Sequence, residues 1–283
     1  MIFTSYVKLA RLHRPIGIWL LMFPAWWGLA LASPTWPPLF LLILFACGAI
    51  IMRSAGCVYN DMVDKEFDIK VKRTAIRPLP AGDISLKKAL LFLFLLLGGG
   101  ATILFSLPLP VILVGFFALI LILLYPWMKR ITYWPQLFLG FTFNTGLLMG
   151  WLSLNPTLTI LPFLFYGGAI FWTLGYDTIY AFQDREDDLF AGVKSSALAI
   201  SSSPKLFLSL VYGTTLLLWG IGGREAHLNW IYWFFLSLIA LHMGWQIISL
   251  REENQNNCLK RFESNASIGI ILFLSIVFSH LID

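Results

Sequence analysis

The sequence predicts an all-α, polytopic membrane bundle of about nine transmembrane helices, built as two four-helix units plus one, in a single integral-membrane domain over residues 1–283. Three observations predict it. The chain is 58% hydrophobic and only 12% charged, with a mean hydropathy of +0.78, whereas soluble domains carry about 25% charged residues. Apolar runs of the length needed to cross a hydrocarbon core, about 20 residues, recur along the whole sequence. The basic residues gather in alternate connections. A water-soluble globule is excluded, and so is disorder, because a chain this apolar cannot stay solvated.

Taken in order, the spans fall at about 16–34, 38–58, 89–107, 109–127, 134–153, 158–180, 205–222, 228–249 and 266–282. The first run is longer than the apolar region of a usual secretory signal and many spans follow it, so it reads as a true span. With the N-terminus inside, 18 of the 20 Lys and Arg lie in inner segments, against Arg224 outside and Arg53 within the second span. The positive-inside rule then places the N-terminus in and the C-terminus out. The net charge of +5 mostly records this topology and implies no nucleic-acid partner. A bacterial inner (cytoplasmic) membrane is the expected location, with the site on its cytoplasmic side. Cys47, Cys57 and Cys258 form neither a disulfide framework nor a metal cluster, and Cys47 and Cys57, in apolar sequence, read as small packing residues. Asn144 and His242, polar within spans, read as interhelical hydrogen-bonding residues.

Two inner connections are long, about 59–88 and 181–204, and each begins with a concentration of acid. Nine of the 15 acidic residues lie in Asn60-Asp61-Met62-Val63-Asp64-Lys65-Glu66-Phe67-Asp68 and in the stretch from Asp177 to Asp188. If the helix continues through each stretch, Asn60, Asp64 and Asp68 share one face, as do Tyr180, Asp184 and Asp188. Adjacent carboxylates at the edge of a low-dielectric bundle repel one another. A hard divalent cation removes that repulsion, and Mg²⁺, which is commonly completed by phosphate oxygens, points to a diphosphate substrate. Asp64 and Asp184 are 120 residues and four spans apart, so both helices run the same way through the membrane. A parallel repeat with acids at one surface differs from the inverted repeats and midplane acids of secondary transporters, which argues against transport.

Basic residues stand close to these rows. Arg73 and Arg77 follow the first row and suit bidentate binding of phosphate oxygens. Lys129 and Arg130 end the fourth span, with Tyr125 one turn before Lys129 on the same face. Arg53, about two turns below Asn60, needs a partner, for which a carboxylate of the acid rows is the candidate.

Together these motifs resemble the intramembrane prenyltransferases of the UbiA superfamily. Asn60-Asp61-x-x-Asp64-x-x-x-Asp68, followed by Arg73-Thr74-x-x-Arg77-Pro78, is similar to that family's first aspartate-rich signature. Asp177-x-x-Tyr180-Ala181-x-Gln183-Asp184-x-x-Asp187-Asp188, then Gly192-Val193-Lys194-Ser195-Ser196, resembles the second. Tyr125-Pro126-x-x-Lys129-Arg130 resembles its Tyr-x-x-x-Lys element, and the likeness begins at Arg11-Leu12-His13-Arg14-Pro15-Ile16-Gly17. His13 stands where many members have another polar residue, and the resemblance gives it no role.

The form of the motifs is most like the branch that prenylates 4-hydroxybenzoate for ubiquinone. The resemblance implies magnesium ions held by Asp64, Asp68, Asp184 and Asp188, with catalysis by these residues and Asp61. Asn60 and Asp177 assist, Tyr125 and Tyr180 belong to the substrate site, and Arg73, Arg77, Lys129 and Lys194 serve the diphosphate of a polyprenyl diphosphate. Transfer goes to position 3 of 4-hydroxybenzoate, ortho to its hydroxyl, with the prenyl tail against membrane lipid. Arg130 is the first candidate for the ring substrate's carboxylate and Arg53 the second. Another acceptor on the same fold, such as a naphthoate or a haem, stays open.

Overall fold

A computed structural model describes residues 2–69 and 72–282, with the side chains of Ile2, Lys72, Arg73 and Ala191 outside the description. The described residues form helices and their connections. In chain order these are α1 (Ile2–Leu9), α2 (Ile16–Ala32), α3 (Leu39–Val63), α4 (Lys65–Asp68), α5 (Lys72–Ala75), α6 (Leu86–Phe105), α7 (Leu109–Ile131) and α8 (Pro135–Phe143). They continue with α9 (Thr145–Leu152), α10 (Ile160–Ala181), α11 (Arg185–Ala191), α12 (Ser196–Ala199), α13 (Pro204–Glu225), α14 (Trp230–Ile248), α15 (Gln255–Glu263) and α16 (Asn265–Leu281). Among the described residues, α3, α6, α7, α13, α14 and the α15–α16 run make six helices long and apolar enough to cross a membrane, while α2 is shorter at 17 residues.

The span expected at 134–153 is two helices, interrupted at Asn144. Its side-chain Nδ2 donates to the Gly140 carbonyl at 2.7 Å and to Thr173 Oγ1 at 2.9 Å. An amide that bonds its own helix backbone offers an alternative to the regular ladder, and here it also ties α8 to α10. His242 meets Ser264 at 3.0 Å, so both intramembrane polar residues join neighbouring helices. The last span is likewise jointed, with α15 leading into α16 at Ser264.

α2 is the central helix, packed against α3, α9 and α16. A Cβ on Gly28 would stand 2.0 Å from the Leu147 carbonyl oxygen, and one on Gly150 2.2 Å from that of Ala25. Only glycine lets these two backbones touch, which is how helices associate where lipid removes the hydrophobic incentive. Trp27, Trp172 and Trp219 fill the space beside them, with Trp27 donating to the Gly269 carbonyl at 2.8 Å. α6 and α7 carry rows of exposed apolar side chains, among them Leu91, Phe94, Leu113 and Phe117, which suit contact with lipid. Cys57 and Cys258 are buried, but Cys47 is on this outer surface and is not a packing residue.

Candidate active site

The acid rows keep their register through breaks in the helices. α3 ends at Val63, yet Asp64 N–H donates to the Asn60 carbonyl at 2.9 Å and Asp68 N–H to the Asp64 carbonyl at 2.8 Å. One turn therefore follows another from Asn60 to Asp68 although the helix is not continuous. In the second stretch α10 stops at Ala181, a 3₁₀ turn covers Phe182–Asp184, and α11 carries Asp187 and Asp188. The expectation of unbroken helices is corrected in both places. Gly192, at a φ of 68°, terminates α11 in the left-handed conformation that glycine adopts freely.

Both rows line one cavity of about 910 Å³. Asn60, Asp61, Asp64 and Asp68 face it from the first row, and Asp177, Tyr180, Asp184 and Asp188 from the second. Arg53, Arg77, Tyr125, Lys129 and Lys194 also line it. Away from the acids the cavity continues as an apolar groove between α3, α6 and α7, past Phe45 and Met52 to Leu104 and Leu107 at the far end of α6. Of the expected site residues, Arg130 is not among those lining the cavity, and the Arg73 side chain lies outside the described residues.

Cations hold the first row. Lys129 forms an ion pair with Asp64, and Arg130 Nη2 lies 3.5 Å from the other oxygen of the same carboxylate. Arg130 also donates to the Val63 carbonyl at 3.3 Å, and its guanidinium stacks over Phe67 and Trp127. It braces the bend at the end of α3. Burial pushes the Asp64 carboxyl above its ordinary value, against the opposing charge of Lys129. Arg77 pairs with Asp68 at 2.7 Å and with Asp61 at 3.1 Å. Arg11 grips both oxygens of Asp61, at 2.8 and 2.9 Å.

Arg53 lines the cavity from α3. Its guanidinium is 5.5 Å from the Phe143 ring centroid, its polar neighbours include Tyr125, Tyr180 and Asp177, and its Nε has no hydrogen-bond partner among the described residues. Lys194 donates to the Ile131 carbonyl at 3.0 Å. Ser196, just beyond, accepts or donates with Thr178 at 2.7 Å and takes Gln136 Oε1 on its N–H at 3.0 Å, which fixes the loop after the second row.

Two groups escaped the sequence reading. Phe262 of α15 packs its ring at a tilt against Tyr180, centroids 4.5 Å apart, and lines the cavity beside the second row, though nothing in a helix 74 residues beyond Asp188 signals this. Arg11 was legible only as a topology marker and as the start of the N-terminal motif.

The donor set at the cavity mouth is carboxylate and amide oxygen, the chemistry that Mg²⁺ favours. Among the described residues, no three acidic, histidine or cysteine side chains already converge in a metal-binding cluster. An anion-and-cation mouth opening into an apolar groove, inside a helical bundle, defines an intramembrane enzyme for a substrate with a charged head and a lipid tail. The chain belongs to the UbiA prenyltransferase family, whose sequence profile matches residues 21–277. It is 43% identical over 280 residues to the mitochondrial 4-hydroxybenzoate polyprenyltransferase of Caenorhabditis elegans, covering 98% of this chain and 79% of that one. The human mitochondrial enzyme of the same name is 41% identical over 285 residues, with 98% and 75% covered. In fold, the chain is similar to the apo structure of a UbiA homolog from Aeropyrum pernix K1, with a TM-score of 0.79 at 24% identity over 93% of this chain and 97% of that one. A UbiA homolog from Archaeoglobus fulgidus, bound to GPP and Mg²⁺, matches with a TM-score of 0.71 at 17% identity, covering 97% and 99%.

These relatives correct one expectation. The curated relatives are named mitochondrial enzymes, so the bacterial inner membrane inferred from the sequence does not stand, whereas the multi-pass membrane character does.

Proposed function

We propose that this chain transfers a polyprenyl group from polyprenyl diphosphate to position 3 of 4-hydroxybenzoate, in ubiquinone biosynthesis, with Mg²⁺ as cofactor. The observation that carries the reading is that both acid rows line one cavity continuous with an apolar groove. The activity named for the relatives supports the reaction and acceptor, and the fold neighbour bound to GPP and Mg²⁺ supports the cofactor. The nine crossings of the proposed bundle are α2, α3, α6, α7, α8 with α9, α10, α13, α14, and α15 with α16. These are two four-helix units plus one in a single domain.

Asp64, Asp68, Asp184 and Asp188 are the residues to hold metal, with Asn60 and Asp177 assisting through oxygen ligands or water. Bound there, Mg²⁺ supplies charge stabilisation to the departing diphosphate. Lys129 and Arg77, which already neutralise the first row, provide cationic contacts for the same diphosphate, together with Arg73 and Lys194. The allylic C–O bond breaks, diphosphate leaves with the electron pair, and the allylic carbon bonds to the ring carbon beside the phenol hydroxyl. That ring carbon then gives up its proton to the released diphosphate, which restores the aromatic ring. The carboxyl group stays on the product.

Arg53 is the better partner for the acceptor's carboxylate, because it lines the cavity and has an unpartnered N–H, whereas Arg130 is engaged in bracing Asp64 and Val63. Tyr125 and Tyr180 flank Arg53 and form walls for the ring. The apolar groove takes the tail and keeps water from the allylic cation, which would otherwise be hydrolysed. The test is product formation by the purified chain in lipid from these two substrates, with Mg²⁺ and then with a chelator in excess.

A further inference from the structure

α1 ends in a way that is costly for the residue placed there. Arg11 N–H donates to the Lys8 carbonyl at 3.1 Å and Leu12 N–H to the Val7 carbonyl at 3.1 Å. This pair of bonds is the Schellman closure of a helix, and it puts Arg11 at the position that is usually glycine. Arg11 has a φ of 57°, in the left-handed region that is unfavourable for a residue with a Cβ. Glycine would close the helix at lower cost, so the side chain is the feature that offsets the strain.

That side chain leaves the turn and enters the site. Its Nη2 reaches both oxygens of Asp61, which is 1% exposed, at 2.8 and 2.9 Å. Asp61 in turn meets Arg77 at 3.1 Å, and Arg77 meets Asp68 at 2.7 Å. The four groups alternate in sign, Arg11 to Asp61 to Arg77 to Asp68, from the N-terminal segment to the first acid row. Arg11 holds both oxygens of Asp61 within 2.9 Å and Arg77 shares one of them, whereas the second oxygen of Asp64 meets a cation, Arg130, only at 3.5 Å, although all these groups but Arg130 line the cavity.

We propose that Arg11 is a positioning residue for prenyl transfer: through Asp61 and Arg77 it fixes the carboxylate of Asp68 for binding of the metal and diphosphate. Asp61, on this assignment, is a strut between two arginines and does not ligate metal. The inference rests on the function proposed above. It separates Asp61 from Asp64 and Asp68, which the sequence motif groups together.

The experiment uses the full chain in lipid nanodiscs, comparing wild type with Arg11→Gln, Arg11→Lys and Asp61→Asn. In Arg11→Gln the buried Asp61 keeps Arg77 as a partner, which protects the fold from an isolated buried charge. Mn²⁺ binding is titrated by electron paramagnetic resonance with inorganic diphosphate present, and KM is measured for each substrate. Arg11→Gln is expected to weaken Mn²⁺ binding and raise KM for the prenyl diphosphate by about tenfold. KM for 4-hydroxybenzoate should move by less than about twofold, because Arg11 acts on the first row alone. Arg11→Lys, which keeps the charge but lacks the planar guanidinium whose Nη2 meets both Asp61 oxygens, should fall between wild type and Arg11→Gln. Asp61→Asn should match Arg11→Gln or exceed it in the same two readouts. Unchanged Mn²⁺ affinity and unchanged KM values in Arg11→Gln, with only the yield of folded protein reduced, overturn the proposal. Should Arg11→Gln or Asp61→Asn fail to fold, wild-type Mn²⁺ affinity in Arg11→Lys overturns it instead. Absence of prenyl transfer by wild type overturns both the proposed function and this inference, whereas a working wild type with an unaltered Arg11→Gln overturns only the latter.

Discussion

A single methyl group added to Gly17 should disable recognition of the aromatic acid while leaving the diphosphate site intact. Gly17 lies in the first turn of α2, directly beside Arg53. A Cβ built there would stand 2.4 Å from Arg53 Nε, 3.0 Å from Nη2 and 3.1 Å from Cζ, where ordinary contact begins at 3.4 Å. The guanidinium must retreat by about 1 Å, and a displacement of that size at a positioning group costs up to about 100-fold. The charge-assisted bond at stake is worth about 1.5–3 kcal/mol, which converts to about 10- to 150-fold in affinity. Gly17→Ala is therefore expected to raise KM for 4-hydroxybenzoate by at least about tenfold, with KM for the prenyl diphosphate within about twofold. Alanine is a better helix former than glycine by about 1 kcal/mol, so a loss of fold is not the expected cause. Steady-state kinetics with each substrate varied in turn, beside Arg53→Gln as a reference, make the assay. An unchanged KM for 4-hydroxybenzoate in both variants, or a rise confined to the diphosphate, would refute the assignment of Arg53.

Two further outcomes follow from the same geometry. Asp64→Ala and Asp184→Ala should each reduce turnover by at least about 1,000-fold, since each removes a carboxylate proposed to hold the charge-stabilising metal; near wild-type turnover in either variant would remove that residue from the proposed metal site. Arg130→Ala should leave KM for 4-hydroxybenzoate within about twofold and instead lower the thermal midpoint, because this side chain braces the Val63 carbonyl and Asp64 and is absent from the cavity lining; a selective rise in that KM would restore it as the carboxylate partner.

The membrane bundle was legible in the sequence because hydropathy is a sum over many residues, and no local exception alters it. The acid rows were legible for the opposite reason: in a chain with so few charges, nine acids in two short stretches stand out. Spacing also anticipated their shared face, although the helices break at Asp64 and at Phe182–Asp184, since the i to i−4 bonds at Asp64 and Asp68 preserve the register across the first break. The interruption at Asn144 was not legible, because it depends on which neighbour accepts the amide, and Thr173 is 29 residues away. Nor could spacing decide between Arg53, inside α3, and Arg130, in the last turn of α7, because the choice depends on which one the packing turns toward the cavity. Arg11 shows the same limit: its basic charge follows the topology rule, and its partner Asp61 is 50 residues distant.

The most direct measurement is the mass of the product formed when the purified chain, in lipid with Mg²⁺, is given a polyprenyl diphosphate and an equal mixture of 4-hydroxybenzoate and naphthoate acceptors. The expected product is 4-hydroxybenzoate with one prenyl group in place of one ring hydrogen, its carboxyl retained, and none once a chelator is in excess. A prenylated naphthoate in its place, a product that has lost carbon dioxide, or undiminished yield with the chelator would contradict the account.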